Sequence, residues 1–391
     1  MNRAAPLRIL LLAPHPFYQE RGTPIAVDLL LQALSRRGCE VDVATFPEGE
    51  GRIYPHVTLH RAAPWPRLRG LRPGFSPKKL YTDLFLSRLA RRLAQGRKPD
   101  VIHAVEESVF IAGRLGRQFN VPYMYDMDSS LARQLVEKMP WLAPLGPFFR
   151  WMEARAIRGA LAVVPVCPAL ADLARARSAR HVHLLTDVSL LPESSDMSSP
   201  ATTGPFRFMY IGNLERYQGI DLLLESFARA RQTAPGMELV IVGGTPKHIA
   251  GYRVRAAELG LGGSVTFPGP RPTSELPALF RQAGALVSPR LRGDNTPMKI
   301  YSYLDSDRPL LATDLPTHTQ VLTPDVALLA APNPDAMAAA MIQLAREPDL
   351  GPRLAANARA LVRERYSRAA FEASVNRLYD FIESKLPMTL Y

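Results

Sequence analysis

The sequence is poor in cysteine and has no long apolar run. Only two of its 391 residues are cysteines, Cys39 and Cys167, which are too few for a disulfide framework and lack metal-ligand spacing. This favours a reducing, cytoplasmic location. No apolar run approaches the roughly 18 residues that a helix needs to cross a bilayer. The apolar residues Leu7–Leu12 follow basic residues as in a secretory signal, but no A-x-A-like site follows, so a buried strand is the better interpretation.

Acidic residues are too few to balance the basic ones. The chain has 48 Lys and Arg against 36 Asp and Glu, a net charge of +12, of which residues 1–195 carry +10. A basic half beside a nearly neutral half indicates an anionic partner, such as nucleic acid, an anionic bilayer or a phosphorylated substrate. The sequence contains no nucleic-acid recognition motif, so nucleic acid is not expected among the partners.

Apolar strands and amphipathic helices alternate through both halves of the chain. Continuous apolar strands between helices predict parallel sheets covered on both faces, and therefore an α/β fold with two Rossmann-like, doubly wound domains. A Ser-, Pro- and Thr-rich linker at 191–205 divides domain 1–195 from domain 206–391, which ends in helices. Ligands of such sheets bind beyond the carboxyl ends of the strands, here in a cleft between the domains. The predicted strands are Leu7–Leu12, Glu40–Thr45, Asp100–Ala104, Pro122–Tyr125, Leu161–Val166, Phe206–Ile211, Glu238–Val242, Ser264–Phe267, Ala285–Ser288 and Leu310–Thr313.

Three segments of the second half carry a family resemblance: MYIGNLERYQGIDLLLESFARA, ELVIVGGTP and VTFPGPRPTSELPALFRQAGALVSPRLRGDNTPMKIYSYLDSDRPLLATD. In this order they resemble the donor-binding domain of the retaining glycosyltransferase family 4, which has the GT-B fold. The resemblance is good over 206–314 and looser in the first half, at GTPIAVDLLLQALSRRGCEVDV and DVIHA. It implies that the chain transfers a sugar from a nucleoside-diphosphate sugar to a lipid-linked or cell-envelope glycan acceptor. It also implies retention at the anomeric carbon, no metal ion and no cofactor.

The positions at which the family neutralises the donor diphosphate are altered. The resemblance places an Arg and a Lys where this chain has Asn213 and Gln218. Arg216 lies between them and is the first candidate to supply the missing charge, although a solvated loop residue is the alternative. Lys299 is a second candidate, as a replacement for the Lys lost at Gln218. Asp307 stands where the family usually has Gly.

The paired acids of the family, E-x7-E, correspond here to Asp294 and Ser302. The resemblance implies that Asp294 binds hydroxyls of the donor sugar and that Ser302 reaches a ribose hydroxyl as a neutral group. Asn295 and Thr296 precede the next predicted helix, and N–H groups at a helix start suit an anion. The alternative for Asp294 and Thr296 is N-capping of that helix.

The first half offers two candidate positions. Gly22 and Thr23 form a turn before a helix, which suits a phosphate; the alternative is an ordinary strand-to-helix turn. Asp126 and Asp128 follow a predicted strand and are candidates for contacting the acceptor hydroxyl, with capping of the next helix as the alternative. His103 is a lesser candidate, because a satisfied histidine near the core is the more ordinary interpretation. No metal site is assigned.

Two segments of the first half suit a membrane surface. Arg67–Lys98 contains ten cations and one acid with interleaved apolar residues, which is typical of a basic amphipathic helix on anionic lipid. Met139–Met152 adds aromatic side chains beside a cation, which suits the headgroup level of a bilayer. The alternative is a pair of core-packed helices with a solvated basic face. We therefore expect peripheral contact with the inner face of an anionic membrane.

Two other functions are compatible with these patterns. A non-catalytic, degenerate GT-B protein would explain the altered donor-phosphate positions. A GT-B sugar-nucleotide epimerase would explain the weak match to E-x7-E, but the paired acid and base groups that such a reaction needs cannot be assigned.

Overall fold

The computed structural model describes residues 5–64, 70, 77–192 and 204–387. Its backbone contacts divide the chain into two compact units, one of residues 1–186 with 372–391 and one of residues 187–371. The sequence prediction placed the division inside 191–205 and assigned everything after it to the second domain. The boundary instead falls before Asp187, and the chain returns to the first unit at Glu372. Residues 193–203, most of the predicted linker, lie outside the described part.

The first unit is built on one six-stranded parallel sheet in the order β3-β2-β1-β4-β5-β6. The order runs outwards in both directions from β1 and β4, so the topological switch point lies between these two strands, where Ile9 pairs with Val101. All five residues of β4 are buried, as expected for a strand covered by helices on both faces. The strands are β1 (Arg8–Ala13), β2 (Glu40–Thr45), β3 (Val57–Arg61), β4 (Val101–Val105), β5 (Tyr123–Met127) and β6 (Ala162–Pro165).

In the described part of this unit, the helices that follow or connect these strands are α1 (Gly22–Arg37), α2 (Pro77–Gly96), α3 (Val109–Phe119), α4 (Leu131–Lys138), α5 (Gly146–Gly159) and α6 (Pro168–Ala176). Leu86 of α2, Leu115 of α3 and Ile157 of α5 belong to one apolar cluster against the sheet. These three helices therefore share a core. Among the described residues, no helix is both long and apolar enough to cross a bilayer.

The second unit repeats the same plan with the strand order β12-β11-β10-β7-β8-β9, and its switch point lies between β7 and β10. Its strands are β7 (Arg207–Ile211), β8 (Glu238–Val242), β9 (Val265–Gly269), β10 (Ala285–Ser288), β11 (Leu310–Thr313) and β12 (Leu328–Ala330). Its helices are α7 (Ile220–Thr233), α8 (Pro246–Glu258), α9 (Leu276–Arg281), α10 (Lys299–Leu304), α11 (Pro316–Thr319), α12 (Pro334–Arg346) and α13 (Leu350–Leu361).

The last helix, α14 (Arg368–Lys385), crosses back to the first unit. Its apolar face is fully buried at Val375, Leu378, Tyr379 and Ile382. Arg37, at the end of α1, forms ion pairs with Asp380 at 2.7 Å and Glu383 at 3.1 Å. The apolar periodicity predicted this helix, but periodicity shows only that one face is buried and not against which core.

Asp307 is explained by its backbone conformation. Its φ is +54°, in the left-handed region that glycine adopts most easily and that Asp tolerates better than most residues. Its carboxylate forms an ion pair with Arg359 of α13. The position therefore accepts Asp in place of Gly, and the side chain attaches the turn before β11 to a helix.

Candidate functional site

The switch point of the second unit exposes backbone where β7 ends. Gly212 has a φ of +156°, and a Cβ atom there would lie 2.9 Å from the Tyr210 hydroxyl and 3.3 Å from Lys299 Nζ. A side chain at this position would press on both groups. Glycine therefore keeps the backbone beside the Lys299 ammonium accessible to a ligand.

Lys299, the first residue of α10, extends to the loop that follows β7. Its Nζ lies 3.2 Å from Gln218 Oε1 and 3.9 Å from the ring centroid of Tyr210. Sequence reasoning had named Lys299 as the substitute for the cation missing at Gln218. The structure brings the ends of these two side chains together. The positive charge missing at Gln218 is therefore supplied by Lys299 from α10.

The charge on Lys299 has no acidic partner in the described part of the chain. Burial, followed by the nearby Arg290 guanidinium, lowers the pKa of Lys299 well below its ordinary value. A half-buried ammonium beside another cation is electrostatically unfavourable, and an anionic ligand would relieve this. The arrangement therefore suits a phosphate-bearing ligand.

Arg290, directly after β10, organises the neighbouring loop. It is 8% exposed, and it donates to the Asn295 side-chain oxygen at 2.9 Å and to the Arg292 carbonyl at 2.7 Å. Gly293, with a φ of +132°, lies so close that a Cβ atom would overlap the guanidinium. No sequence motif indicated Arg290, although its position just after a switch-point strand was a signal that could have identified it.

The loop before α10 holds the predicted donor residues in different environments. Asp294 is exposed, and its carbonyl accepts from Gln320 Nε2 at 3.1 Å. Thr296 is 2% exposed, and its hydroxyl has no hydrogen-bond partner among the described residues. The residue before α10 is Met298, in helical conformation and without a side-chain cap, so the N-capping alternative for Asp294 and Thr296 is wrong. A buried hydroxyl without a partner is uncommon and favours contact with a ligand.

The other predicted donor residues differ in accessibility. Ser302 is 1% exposed, and its hydroxyl accepts from the Leu190 backbone N–H at 3.0 Å. It is therefore engaged inside its own unit, and its predicted contact with a ribose hydroxyl stays a prediction. Asn213 and Arg216 are exposed, and Arg216 forms no ion pair among the described residues. Their roles remain predictions.

A cavity of about 310 Å³ lies at the switch point of the first unit. Gly22 and Thr23 line it as α1 begins, as do Glu106 after β4 and Lys79 from α2. Gly22 and Thr23 therefore lie at a cavity, and their predicted contact with a phosphate stays a prediction. Lys79 forms an ion pair with Glu107 here, so its assignment to a membrane-facing cation cluster is corrected.

Glu106 lines this cavity and interacts with two further carboxylates, Asp126 and Asp128. Burial, and then the Asp128 carboxylate, raise the pKa of Glu106 well above its usual range, while Ser129 Oγ donates to both its oxygens at 3.0 Å. Burial and the neighbouring Asp126 raise the pKa of Asp128 to about 7, although a hydrogen bond from Thr23 opposes the shift. The cluster therefore holds a proton at neutral pH.

The two predicted acids lie behind the cavity wall. Asp126 Oδ2 is 3.2 Å from His103 Nε2, and His103 Nδ1 is 2.8 Å from the Tyr379 hydroxyl. His103 is fully buried with both nitrogens partnered, which confirms its interpretation as a satisfied core histidine. Glu106 forms the wall instead. Sequence reasoning missed it, although an acid directly after a switch-point strand was again the available signal.

The capping alternative for Asp128 is also wrong. Helix α4 begins after Ser130, whose own side chain accepts from the Arg133 backbone N–H at 3.4 Å. Asp128 instead interacts with Thr23 and the other two acids. Asp128 is therefore coupled to the neighbouring acids and does not cap a helix, and its contact with an acceptor hydroxyl stays a prediction.

The cavity contains a neutral histidine. His15 Nδ1 lies 3.1 Å from the Pro16 carbonyl, and its buried Nε2 has no partner in the described residues. Burial lowers the pKa of His15 to about 4, against a weaker effect of that carbonyl. Neutral imidazole, a protonated carboxyl group and Lys79 together suit a hydroxyl-rich molecule. The described residues contain no group of three or more His, Cys, Asp or Glu placed to hold a metal ion.

Two family models match nearly the whole chain. The model described as a glycosyl transferase 4-like domain matches residues 21–186, and the model described as glycosyl transferases group 1 matches residues 193–361. These matches correspond closely to the two structural units. No curated protein sequence matches this chain.

Several solved structures are similar in fold to this chain over both of its units. A sucrose-phosphate synthase from Thermosynechococcus elongatus is 19% identical, with 97% of this chain and 99% of that chain covered and a TM-score of 0.78. Anabaena HepE in complex with UDP is 14% identical, with 96% and 100% covered and a TM-score of 0.75. The lipopolysaccharide outer core galactosyltransferase WaaB is 13% identical, with 97% and 100% covered and a TM-score of 0.67. These likenesses confirm the predicted GT-B fold, and the two family models describe the two halves of the chain as glycosyltransferase domains.

Proposed function

We propose that this protein transfers a glycosyl group from a nucleoside-diphosphate sugar to an acceptor hydroxyl, with retention at the anomeric carbon. The bond between the anomeric carbon and the diphosphate oxygen breaks, a bond to the acceptor oxygen forms, and the nucleoside diphosphate leaves with the proton of the acceptor hydroxyl. The complexes of Anabaena HepE with UDP and with UDP-glucose support this donor class. The second unit binds the donor, and the first unit binds the acceptor.

The observation that carries the proposal is the environment of Lys299. Its ammonium is partly buried beside Arg290, bonded to a neutral amide, and without an acidic partner in the described residues. A diphosphate supplies the missing negative charge. Because that charge grows on the leaving group as the glycosidic bond breaks, a fixed cation there stabilises the transition state.

The remaining donor contacts follow from the loops around Lys299. Asp294 is exposed beside the buried Thr296 hydroxyl, and we assign Asp294 to the sugar hydroxyls and Thr296 to a donor oxygen. Asn213 and Arg216 are assigned to the diphosphate from the loop after β7. Transfer without a metal ion is part of this proposal, because the Lys299 ammonium supplies the positive charge that a divalent metal ion would otherwise bring to the diphosphate.

The acceptor is assigned to the cavity of the first unit. A glycan hydroxyl, from a lipid-linked or cell-envelope acceptor, would meet Glu106 at the wall, with Asp126 and Asp128 holding the local proton. His15 also lines this cavity, and its Nε2 has no hydrogen-bond partner among the described residues. Cys39 and Cys167 are both buried and form no disulfide, which supports a cytoplasmic location as part of the proposal.

A thermal-unfolding screen of nucleoside diphosphates and their sugars tests the proposal. A ligand at a hundred times its dissociation constant stabilises the fold by about 2.7 kcal/mol, so a true donor is readily detected. Product analysis with that donor then separates transfer or slow hydrolysis from epimerisation. If no nucleotide raises the thermal-unfolding temperature, the proposal fails, and the alternative of a degenerate, non-catalytic GT-B protein replaces it.

A further inference from the structure

A groove of about 280 Å³ runs between α3 and α5 on the surface of the first unit. Three large side chains line it while remaining substantially exposed: Phe110 at 38%, Phe148 at 52% and Trp151 at 53%. Phe148 and Trp151 stack with their ring centroids 6.0 Å apart. Single exposed apolar side chains are common, but aromatic side chains that line one shared groove indicate a binding surface.

The exposed apolar surface continues into the turn before α5. This short 3-10 segment, Pro140–Leu145, exposes 74% of Trp141 and 50% of Leu145. We call the groove together with this segment the α3–α5 face. Neither part lies at the cavity assigned to the acceptor, so no contact of the proposed reaction explains it.

The charge on the α3–α5 face has one sign. Arg117 and Arg155 line the groove, and the Arg155 guanidinium lies 5.9 Å from the centre of the Trp151 ring. Both helices are described throughout, and their only acid, Glu153, is 2% exposed and accepts from Ser130 Oγ at 3.0 Å. The further exposed cations are Arg114, Arg150 and Arg158.

We propose that the α3–α5 face binds anionic phospholipid bilayers. Aromatic side chains with arginines at their edge match the headgroup boundary, where rings enter the apolar region and guanidinium groups meet phosphates. A second copy of the chain is a poor occupant, because a self-complementary contact would bring the arginines of both copies together. Binding here goes beyond the transfer reaction and would hold the protein beside lipid-linked acceptors.

This face differs from the surface that the sequence indicated first. The apolar stripe of α2 is used in the core, since Leu86, Ala90 and Ala94 are buried. Helix α2 still exposes 57% of Leu80 and 59% of Leu84, so it presents a smaller, aliphatic apolar surface, and its exposed Arg91 and Arg92 add long-range attraction. Three further cations of that segment, Arg67, Arg69 and Arg72, lie outside the described residues.

Vesicle flotation tests the proposal with the full chain. One set of vesicles contains phosphatidylcholine alone, and the other contains phosphatidylcholine with phosphatidylglycerol. Binding is expected only to the anionic set and is expected to weaken at high salt. Arg117→Gln should lower the affinity about fivefold, because one basic residue contributes on the order of 1 kcal/mol at such a surface. The double variant Phe148→Ser with Trp151→Ser should lower it about tenfold or more.

Matched controls lie in the second unit, where Val254 is 60% exposed and Arg353 is exposed. Val254→Ser and Arg353→Gln should bind as the unaltered chain does, and all variants should unfold at similar temperatures because the side chains are exposed. Equal binding by the Phe148 and Trp151 double variant would overturn the proposal. So would a dimer that this double variant dissociates, or a single-stranded oligonucleotide that competes with the vesicles.

Discussion

At the scale of single residues, the donor site shows how one positive charge can be supplied from different positions in a sequence. The family resemblance expects a cation at position 218, where this chain has Gln218, and the Lys299 ammonium lies 3.2 Å from that amide. Arg290 raises the electrostatic cost of this ammonium. Sites that bind a charged ligand commonly retain such a cost in the free protein.

The acid cluster predicts an unusual dependence of stability on pH. The pKa of Asp128 is about 7 in the folded chain and about 3.9 when unfolded. The folded state therefore binds the proton more tightly, and the free energy of unfolding falls as the pH rises from about 4 to about 7. In Asp128→Asn this loss should be smaller, so the variant gains stability relative to the unaltered chain at neutral pH.

Urea unfolding across this pH range measures the effect. Asp172→Asn is the control, since Asp172 is an exposed acid on α6 paired with Arg175. The control should follow the pH dependence of the unaltered chain. Identical pH dependence in Asp128→Asn would show that Asp128 is ionised throughout and that the account of the cluster is wrong.

Asp294 is predicted to act on the sugar and not on the nucleotide. Loss of a charge-assisted hydrogen bond in Asp294→Ala should cost about 1.5–3 kcal/mol, which lowers turnover roughly ten- to a hundredfold. Affinity for the free nucleoside diphosphate should be nearly unchanged, because that ligand has no sugar. Steady-state rates and calorimetric titration separate the two effects. A large loss of nucleoside-diphosphate affinity would contradict the assignment.

The sequence indicated the site residues unevenly. It indicated Gly22, Thr23 and Lys299, which lie at the two candidate sites, because each stands in a recognisable turn or motif. It missed Glu106 and Arg290, whose significance depends on which strands lie at the centre of each sheet. Strand order comes from long-range pairing, and no local pattern contains it.

At the scale of secondary-structure elements, most strands were predictable and two were not. Glu40–Thr45, Glu238–Val242, Ala285–Ser288 and Leu310–Thr313 were predicted with the same bounds as β2, β8, β10 and β11. The edge strands β3 and β12 were missed, because only one residue of the eight they contain is buried and their apolar signal is weak. A buried central strand has the continuous apolar pattern that a sequence reveals most clearly.

Helix α14 is predicted to stabilise the first unit although it ends the chain. Leu378 is fully buried, so Leu378→Ala should destabilise the fold by about 2–5 kcal/mol through lost burial and the cavity left behind. Leu184→Ala is the control in the same unit, because Leu184 is 38% exposed and should cost much less. Hydrogen exchange should show the loss of protection in β1 and β4. Loss confined to the second unit would contradict the division of the chain.

At the scale of the whole molecule, the two units share one architecture with different electrostatics. Both sheets have their switch point beside a polar site. The first unit places a cluster of three carboxylates there, and the second places Lys299 and Arg290. An anionic donor and a hydroxyl-bearing acceptor fit these opposite environments. Composition indicated a basic first half, but it did not show that the acids of that half gather at its cavity.

Activity is predicted to be independent of divalent metal. Because Lys299 supplies positive charge at the proposed diphosphate site, transfer or donor hydrolysis should continue in excess chelator at an unchanged rate. The measurement compares initial rates with chelator, with added magnesium and with added manganese. Activity that chelator abolishes and manganese restores would show that a metal carries the diphosphate charge.

Calorimetric titration with a nucleoside diphosphate tests the central claim most directly. Compared with the unaltered chain, Lys299→Met should weaken binding at least tenfold, because about 1.5–3 kcal/mol is lost with a charge-assisted contact. Arg216→Gln measures the contribution that the sequence assigned to the neighbouring loop, and Arg353→Gln on α13 serves as the exposed-arginine control. If Lys299→Met bound the nucleotide as tightly as the unaltered chain, the account would be contradicted. If only Arg216→Gln bound it weakly, Arg216 and not Lys299 would be the residue that binds the diphosphate.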